Sequence, residues 1–195
     1  MKNDFNPADL RRENFAYAAC FCEENIWQLG KSLVAQGISI AAMHAVVLSN
    51  SNCTIALLQQ RAALPGKIMV WDYHVILLLK NADEDWILDF DTRLPFASLR
   101  NNYASKSFIP STQLAQEFQP LMRVIPMAEY LARFSSDRHH MRDENGEPLQ
   151  PFPLWPAIQP SDVDQPIMLM QYMEMEGNLP GNSRVYSQTH WLEAR

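Results

Sequence analysis

Apolar residues step by three and four after Cys22. Ile26, Leu29 and Leu33 fall on one side of a helix, and Gly37 is placed to stop it. Met43 to Leu48 reads as a strand, Ser49-Asn50-Ser51-Asn52 as a turn, and Cys53 to Leu58 as the strand that returns. Leu64-Pro65-Gly66 is a further turn. Met69 to Leu79 is the strongest strand pattern, and it is broken by Asn81-Ala82-Asp83-Glu84-Asp85. Trp86 to Phe90 follows as the second arm of a β-hairpin, ended by Leu94-Pro95-Phe96. The pattern then predicts short helices at Thr112 to Phe118 and Met127 to Phe134, with a strand at Leu121 to Ile125 between them. Residues 1–16 form an irregular lead-in. Prolines at 148, 151, 153, 156, 160 and 166 exclude regular structure there. That stretch is expected to lie extended over the domain, anchored by Phe152, Leu154 and Trp155.

Composition narrows the class. In 195 residues, 47% are hydrophobic and 19% charged, which suits one globular domain with a real core. The net charge of −6 and the absence of a basic patch speak against a nucleic-acid partner. The longest apolar run, Val75 to Leu79, is far too short to span a membrane, and the first fifteen residues lack the apolar core of a signal peptide. A cytoplasmic protein is expected. Its three cysteines, Cys20, Cys22 and Cys53, suit reduced thiols better than a disulfide framework. Cys-x-Cys is not a zinc spacing and no second pair follows it, so no metal is expected.

Candidate chemistry starts at Cys22. A thiol in the first turn of a helix faces unpaired backbone N–H groups and the positive end of the helix dipole, and both favour the nucleophilic thiolate. Such a cysteine also needs a histidine close in space. In an extended strand Asp72, His74 and Ile76 share a face, as do Ile87, Asp89 and Asp91 on the next strand. A hairpin turning at Ala82-Asp83 sets residue 91 opposite His74. One turning at Asn81-Ala82 sets residue 89 there. Either register gives the imidazole a carboxylate to hold its tautomer. An early Cys on a helix followed by a His–Asp strand pair is the layout of papain-like cysteine enzymes. Each piece also has a plainer reading. A helix cysteine is often a small buried hydrophobe, a strand histidine a satisfied core residue, and the two aspartates turn residues. Glu23 and Glu24 suit a helix N-terminus electrostatically. His139-His140 lies among charges that suggest a solvated loop, and the Met168, Met170, Met173 and Met175 cluster suggests packing or a flexible cover.

Four blocks tip the balance. Tyr17-Ala18-Ala19-Cys20-Phe21-Cys22-Glu23-Glu24-Asn25-Ile26-Trp27 resembles the active-site segment of protein N-terminal glutamine amidohydrolases. So does Val70-Trp71-Asp72-Tyr73-His74-Val75. Leu88-Asp89-Phe90-Asp91-Thr92 with Leu94-Pro95-Phe96 is similar to the family's third block, and Ser136-Asp137-Arg138-His139-His140-Met141 to a fourth. Ala18-Ala19 stands where the family usually shows small hydroxyl residues. The resemblance implies an α/β (α+β), papain-like cysteine hydrolase fold, with an N-terminal catalytic helix packed on an antiparallel sheet. It would be a single catalytic domain over 1–195, with the proline-rich segment at about 148–166. It also implies removal of ammonia from an N-terminal glutamine of proteins or peptides, giving glutamate, without a cofactor and by a monomer. By motif, the nucleophile is Cys22, the acid/base His74 and the orienting carboxylate Asp89 rather than Asp91. Glu24 and Asp72 are candidates to receive the substrate's α-ammonium, with Trp71 as a pocket wall. A papain-like protease, a transglutaminase-like acyl transferase and a non-enzymatic module that binds Gln-initiated termini stand as alternatives.

Overall fold

The computed structural model describes residues 5–82, 84–161, 163–177 and 179–193. Asp83, in the expected hairpin turn, Asp162, in the proline-rich stretch, and the first four residues of the lead-in lie outside them. The elements are α1 (Cys22–Ala35), β1 (Met43–Ser49), β2 (Ile55–Leu57), β3 (Met69–Trp71), β4 (His74–Leu79), β5 (Trp86–Leu88), β6 (Ala97–Leu99), α2 (Arg100–Ser107), β7 (Leu121–Pro126), α3 (Met127–Arg133), β8 (Phe134–Ser135), β9 (Ile167–Met168), α4 (Leu169–Met173), β10 (Arg184–Ser187) and α5 (Gln188–Glu193).

Six strands form a sheet in the order β10-β7-β1-β4-β5-β6, with every neighbouring pair antiparallel. The architecture is mixed α/β, a large antiparallel sheet with a few helices. Strands β1 and β4 are central, and side chains from both of their faces are buried. Ala45, Val47, Val75 and Leu77 join Ile26, Leu29 and Leu33 of α1 and Tyr130 of α3 in one core. Val46, Leu48, Ile76 and Leu78 join Ile55, Tyr103 of α2 and Trp191 of α5 in another. Burial on both sides accounts for the unbroken apolar run of β4, because alternation appears only where one face stays wet.

Helix α1 ends as its sequence requires. Gly37 takes φ +88°, and Ile38 N–H reaches back to the Leu33 carbonyl at 3.0 Å. This left-handed cap is one that glycine adopts without a Cβ penalty. Gly30 has a different reason to be small. A Cβ there would sit 2.5 Å from Sδ of Met127, at the close approach of α1 to α3.

Several expectations change. The segment read as one strand from Met69 to Leu79 is two. Its first part, β3, pairs with β2 in a small separate sheet, while β4 joins the main one. The break falls at Asp72-Tyr73, where Asp72 Oδ1 accepts the Tyr73 N–H at 3.0 Å and Ser49 Oγ donates to the Asp72 carbonyl at 2.9 Å. Consequently β2 does not return along β1, whose neighbours are β4 and β7. Asn50 organises that departure: its carboxamide accepts from the N–H groups of Asn52 and Thr54 and donates to the Thr54 and Glu117 carbonyls. The helix expected at Thr112 to Phe118 is a pair of 3-10 turns, Ser111–Gln113 and Gln116–Phe118. In the proline-rich stretch at 148–166, Pro148 forms an isolated bridge with Arg142, and the other described residues hold neither helix nor strand. Within it Phe152 packs edge-on against Phe21, 6.0 Å between ring centroids, whereas Leu154 is fully exposed and anchors nothing.

Buried Arg123, midway along β7, ties down the chain after α4. Its guanidinium donates to the carbonyls of Tyr172, Glu174 and Gly177 and to Ser183 Oγ. Among the described residues, no helix is long and apolar enough to cross a membrane.

Candidate active site

The break between β3 and β4 and the first turn of α1 meet at one cavity of about 630 Å³. Cys22 and His74 both line it, as do Trp71, Asp72, Asp91 and His140. Residues of α4, Leu169, Met170 and Met173, form an apolar wall, so part of the methionine cluster borders the cavity and part packs in the core.

His74 is 2% exposed and Asp89 is fully buried. Nε2 of His74 lies 3.0 Å from Oδ1 of Asp89. The same oxygen accepts the Asp91 N–H at 2.9 Å, and Oδ2 accepts the Tyr103 hydroxyl at 2.8 Å. Burial alone would depress the His74 pKa, but the charge and hydrogen bond of Asp89, with the charge of Asp91, lift it above the ordinary value. Burial pushes Asp89 up, yet His74 and the donated hydrogen bonds hold it below the ordinary carboxylate range. The pair therefore stabilises itself as imidazolium and carboxylate. With Nε2 bound to Asp89, Nδ1 is the nitrogen left to exchange a proton.

The strand register is informative here. Leu77 pairs with Leu88, Leu78 with Ile87 and Leu79 with Trp86. Continued in that register, residue 91 would face His74, yet it is Asp89 that hydrogen-bonds the imidazole. The ladder ends at Leu88 because Asp89 turns the chain, its side chain capping the Asp91 N–H, as Asx turns do. Asp91 is instead held by Tyr17, whose hydroxyl donates at 2.6 Å. Donor atoms of His74, Asp89 and Asp91 all lie within 4.8 Å of one another, so these three could in principle hold a metal ion.

Cys22 stands at the first helical position of α1, partly exposed. The surroundings of the thiol oppose the thiolate that a helix start favours. Burial pushes the thiol well up, and Glu23, Asp91 and Asp72 add to the rise, while a backbone hydrogen bond from Val75 opposes it. A helix dipole contributes about 0.3–1 kcal/mol, up to ~2 when partly buried, and burial with three nearby carboxylates outweighs it. All three cysteines are free thiols, and Cys20 and Cys53 are exposed.

Other sequence candidates separate. Trp71 stacks on His74, with centroids 6.1 Å apart and planes 14° from parallel, and its indole N–H donates to Gln60. Asp72 lines the cavity and is exposed. Strand alternation would put Asp72 and His74 on one face, but Asp72 lies in the break between β3 and β4 while His74 opens β4. Glu24 is fully buried away from the cavity wall. Its carboxylate accepts both arms of the Arg138 guanidinium, at 2.9 and 2.8 Å, and the Trp155 indole N–H at 2.7 Å.

That clamp explains what sequence reasoning missed. Arg138, in a left-handed backbone conformation with φ +59°, pins the block after β8 onto the first turn of α1. His140 is thereby carried to the cavity, its Nε2 3.6 Å from Glu23 Oε1 and 3.4 Å from the Tyr73 hydroxyl. The bland reading of His139-His140 as a solvated loop fails for His140. Tyr103 carries no local signal beyond its aromatic character, whereas Tyr73 stands inside the second block but gives no hint there of its bond to Glu23.

A family model described as N-terminal glutamine amidase matches residues 17–194 of the chain. The human protein N-terminal glutamine amidohydrolase is 34% identical over 160 residues, which cover 81% of this chain and 78% of the relative. The protein of that name from Bos taurus is 34% identical, covering 81% of this chain and 77% of the relative. The one from Danio rerio is 34% identical over 145 residues, 73% of this chain and 72% of the relative.

Proposed function

The chain belongs to the N-terminal glutamine amidase family, and we propose that it hydrolyses the side-chain amide of a peptide's N-terminal glutamine, through Cys22, His74 and Asp89. The observation that carries the reading is the buried His74–Asp89 pair, opening on the same cavity as the helix-start thiol of Cys22. In this reading the fold is papain-like and the whole chain is a single catalytic domain, because helix, strand and carboxylate supply the three groups in that order. The reading includes a cytoplasmic monomer; three cysteines suit a reducing compartment, and a net charge of −6 suits protein or peptide substrates rather than nucleic acid.

His74 Nδ1 takes the Cys22 proton as sulfur attacks the amide carbon of the glutamine side chain. The oxyanion is received by backbone N–H groups of the first turn of α1, which have no partner within the helix. Asp89 stabilises the imidazolium formed at this step. His74 then hands its proton to the departing nitrogen, ammonia leaves, and a thioester remains on Cys22. Water, deprotonated by His74, attacks the thioester and releases N-terminal glutamate. Trp71, stacked on the imidazole, limits its rotation and shields it from solvent. Asp72 stands on the cavity wall where an α-ammonium can be met. Glu24, held by Arg138, serves the architecture of this wall.

The test is ammonia release from four peptides that differ at the start: Gln, N-acetyl-Gln, Asn, and Gly followed by Gln. Only the first is expected to turn over at full rate. Asn puts its amide carbon one methylene short of the sulfur, and a misplacement on that scale costs roughly a hundredfold. Comparable turnover of acetyl-Gln or internal Gln would overturn the reading in favour of a general deamidase or an acyl transferase.

A further inference from the structure

Three carboxylates from separate elements surround the cavity that Cys22 lines: Glu23 in the first turn of α1, Asp72 in the break between β3 and β4, and Asp91 beyond β5. Asp72 and Asp91 line the cavity. Glu23 lies immediately behind it, fully buried, with Oε2 3.7 Å from the Cys22 sulfur and 2.9 Å from the Tyr73 hydroxyl that donates to it. Its other oxygen, Oε1, is buried with no hydrogen-bond partner, and His140 at 3.6 Å is too distant to be a good one. A buried carboxylate oxygen left unpaired is costly, and each such atom needs a reason.

This charge also works against the chemistry. Negative groups beside a thiol disfavour its ionisation, and here they add to burial in keeping Cys22 protonated. A substrate with a free N-terminus brings the missing cation. We propose that the α-ammonium of a Gln-initiated substrate docks against Glu23, Asp72 and Asp91 and, by neutralising them, is itself what allows Cys22 to ionise. The inference rests on the reading of this cavity as an N-terminal glutamine site.

The proton released from sulfur passes to His74 Nδ1 and leaves later with ammonia, so charge and atoms balance. His74, His140, Arg61 and Tyr73 also face the cavity. His140 leans towards Glu23, which helps to raise its pKa against burial, and so it offsets part of the Glu23 charge. The sulfur's hydrogen-bond partners among the described residues are Glu23 Oε2 and the Val75 backbone, neither of which is a cation. Selectivity then lies in the chemical step as well as in binding: an acetylated terminus brings no charge, and the thiol stays a thiol.

The experiment follows the ultraviolet absorbance of the Cys22 thiolate against pH, as the difference between the wild-type protein and Cys22→Ala. The probe is norleucinamide, which has a free α-ammonium and a side chain of glutamine's length with no amide to cleave. N-acetylnorleucinamide is the control. Norleucinamide is expected to lower the Cys22 titration by about one pH unit or more, a roughly tenfold gain in thiolate, and the acetylated control to leave it in place. In Glu23→Gln the free protein should titrate lower and respond less to the probe. Asp72→Asn, at an exposed position, repeats the comparison should Glu23→Gln fold poorly. A titration unmoved by saturating norleucinamide, or moved equally by the acetylated control, overturns the inference, as does failure of norleucinamide to inhibit. Ammonia release from a Gln-initiated peptide by the same preparation separates the two claims: if it persists, the amidase reading stands without this refinement, and if it is absent, the amidase reading has itself failed.

Discussion

Cys22→Ala is expected to fold normally and to lose ammonia release from Gln-initiated peptides by ~10⁶-fold, the scale on which removal of a triad nucleophile acts. In the proposed sequence no other group forms a bond to the substrate, and Cys20 and Cys53 do not stand at the helix start. The fold should tolerate the change. Cys22 is partly exposed and packs at the margin of the core, so loss of one sulfur costs well under the 2–5 kcal/mol of a full core truncation. Thermal melting checks the second half of this expectation and steady-state kinetics the first. Retained turnover in a folded variant would remove Cys22 from the mechanism.

Asp89→Asn should lower kcat by ~10⁴-fold while Asp91→Asn does much less. Both oxygens of Asp89 are in use, one by His74 and the Asp91 N–H, the other by the Tyr103 hydroxyl. An amide there has only one acceptor oxygen. Turned toward Nε2, the new NH₂ makes that nitrogen an acceptor and leaves the proton on Nδ1, the wrong tautomer for a base; turned toward Tyr103, it still leaves the imidazolium without the negative charge that stabilises it. A second readout follows from charge. The base must be neutral to act, so activity appears as pH rises through the His74 pKa, which Asp89 and Asp91 hold above its ordinary value. The acid limb of kcat/KM should therefore lie above the pH expected of a free histidine, and should move down in Asp89→Asn. Stability follows the same pair with opposite signs. The contribution of Asp89 is lost as pH falls through its lowered pKa, and that of His74 as pH rises through its raised one. An Asp91→Asn variant more damaged in kcat than Asp89→Asn would reverse the assignment.

Much of this was legible in the chain. The amphipathic step of α1, the apolar run of β4 and the hairpin to β5 carry strong periodic signals, and they are what bring Cys22, His74 and the two aspartates into one neighbourhood. What escaped was decided by single side chains acting over long sequence distances. Periodicity ran Met69 to Leu79 together, because nothing in the apolar pattern announces that Asp72 caps its neighbour's N–H and ends β3. Alternation through that break was unreliable for the same reason. Glu24 reads as a helix-start charge or a receptor for the α-ammonium because its partner, Arg138, is 114 residues away, and Glu23 reads as a helix-start charge because nothing local announces its burial. The raised pKa of Cys22 was equally hidden: the helix start is local, but two of the three carboxylates that oppose it arrive from other elements. Helices α2 and α5 have weak patterns and gain their place by packing Tyr103 and Trp191 against the second face of the sheet.

The central claim is hydrolysis of an N-terminal glutamine side chain, and the mass of the product tests it most directly. A Gln-initiated peptide incubated with the protein in ¹⁸O-labelled water should gain one heavy oxygen in the first residue, with ammonia released in equal amount and every peptide bond intact. Cyclisation of the glutamine would also free ammonia but would leave the peptide lighter and unlabelled, and a protease would leave two fragments. Either of those products in place of the labelled glutamate peptide, or an unchanged peptide, would contradict the account.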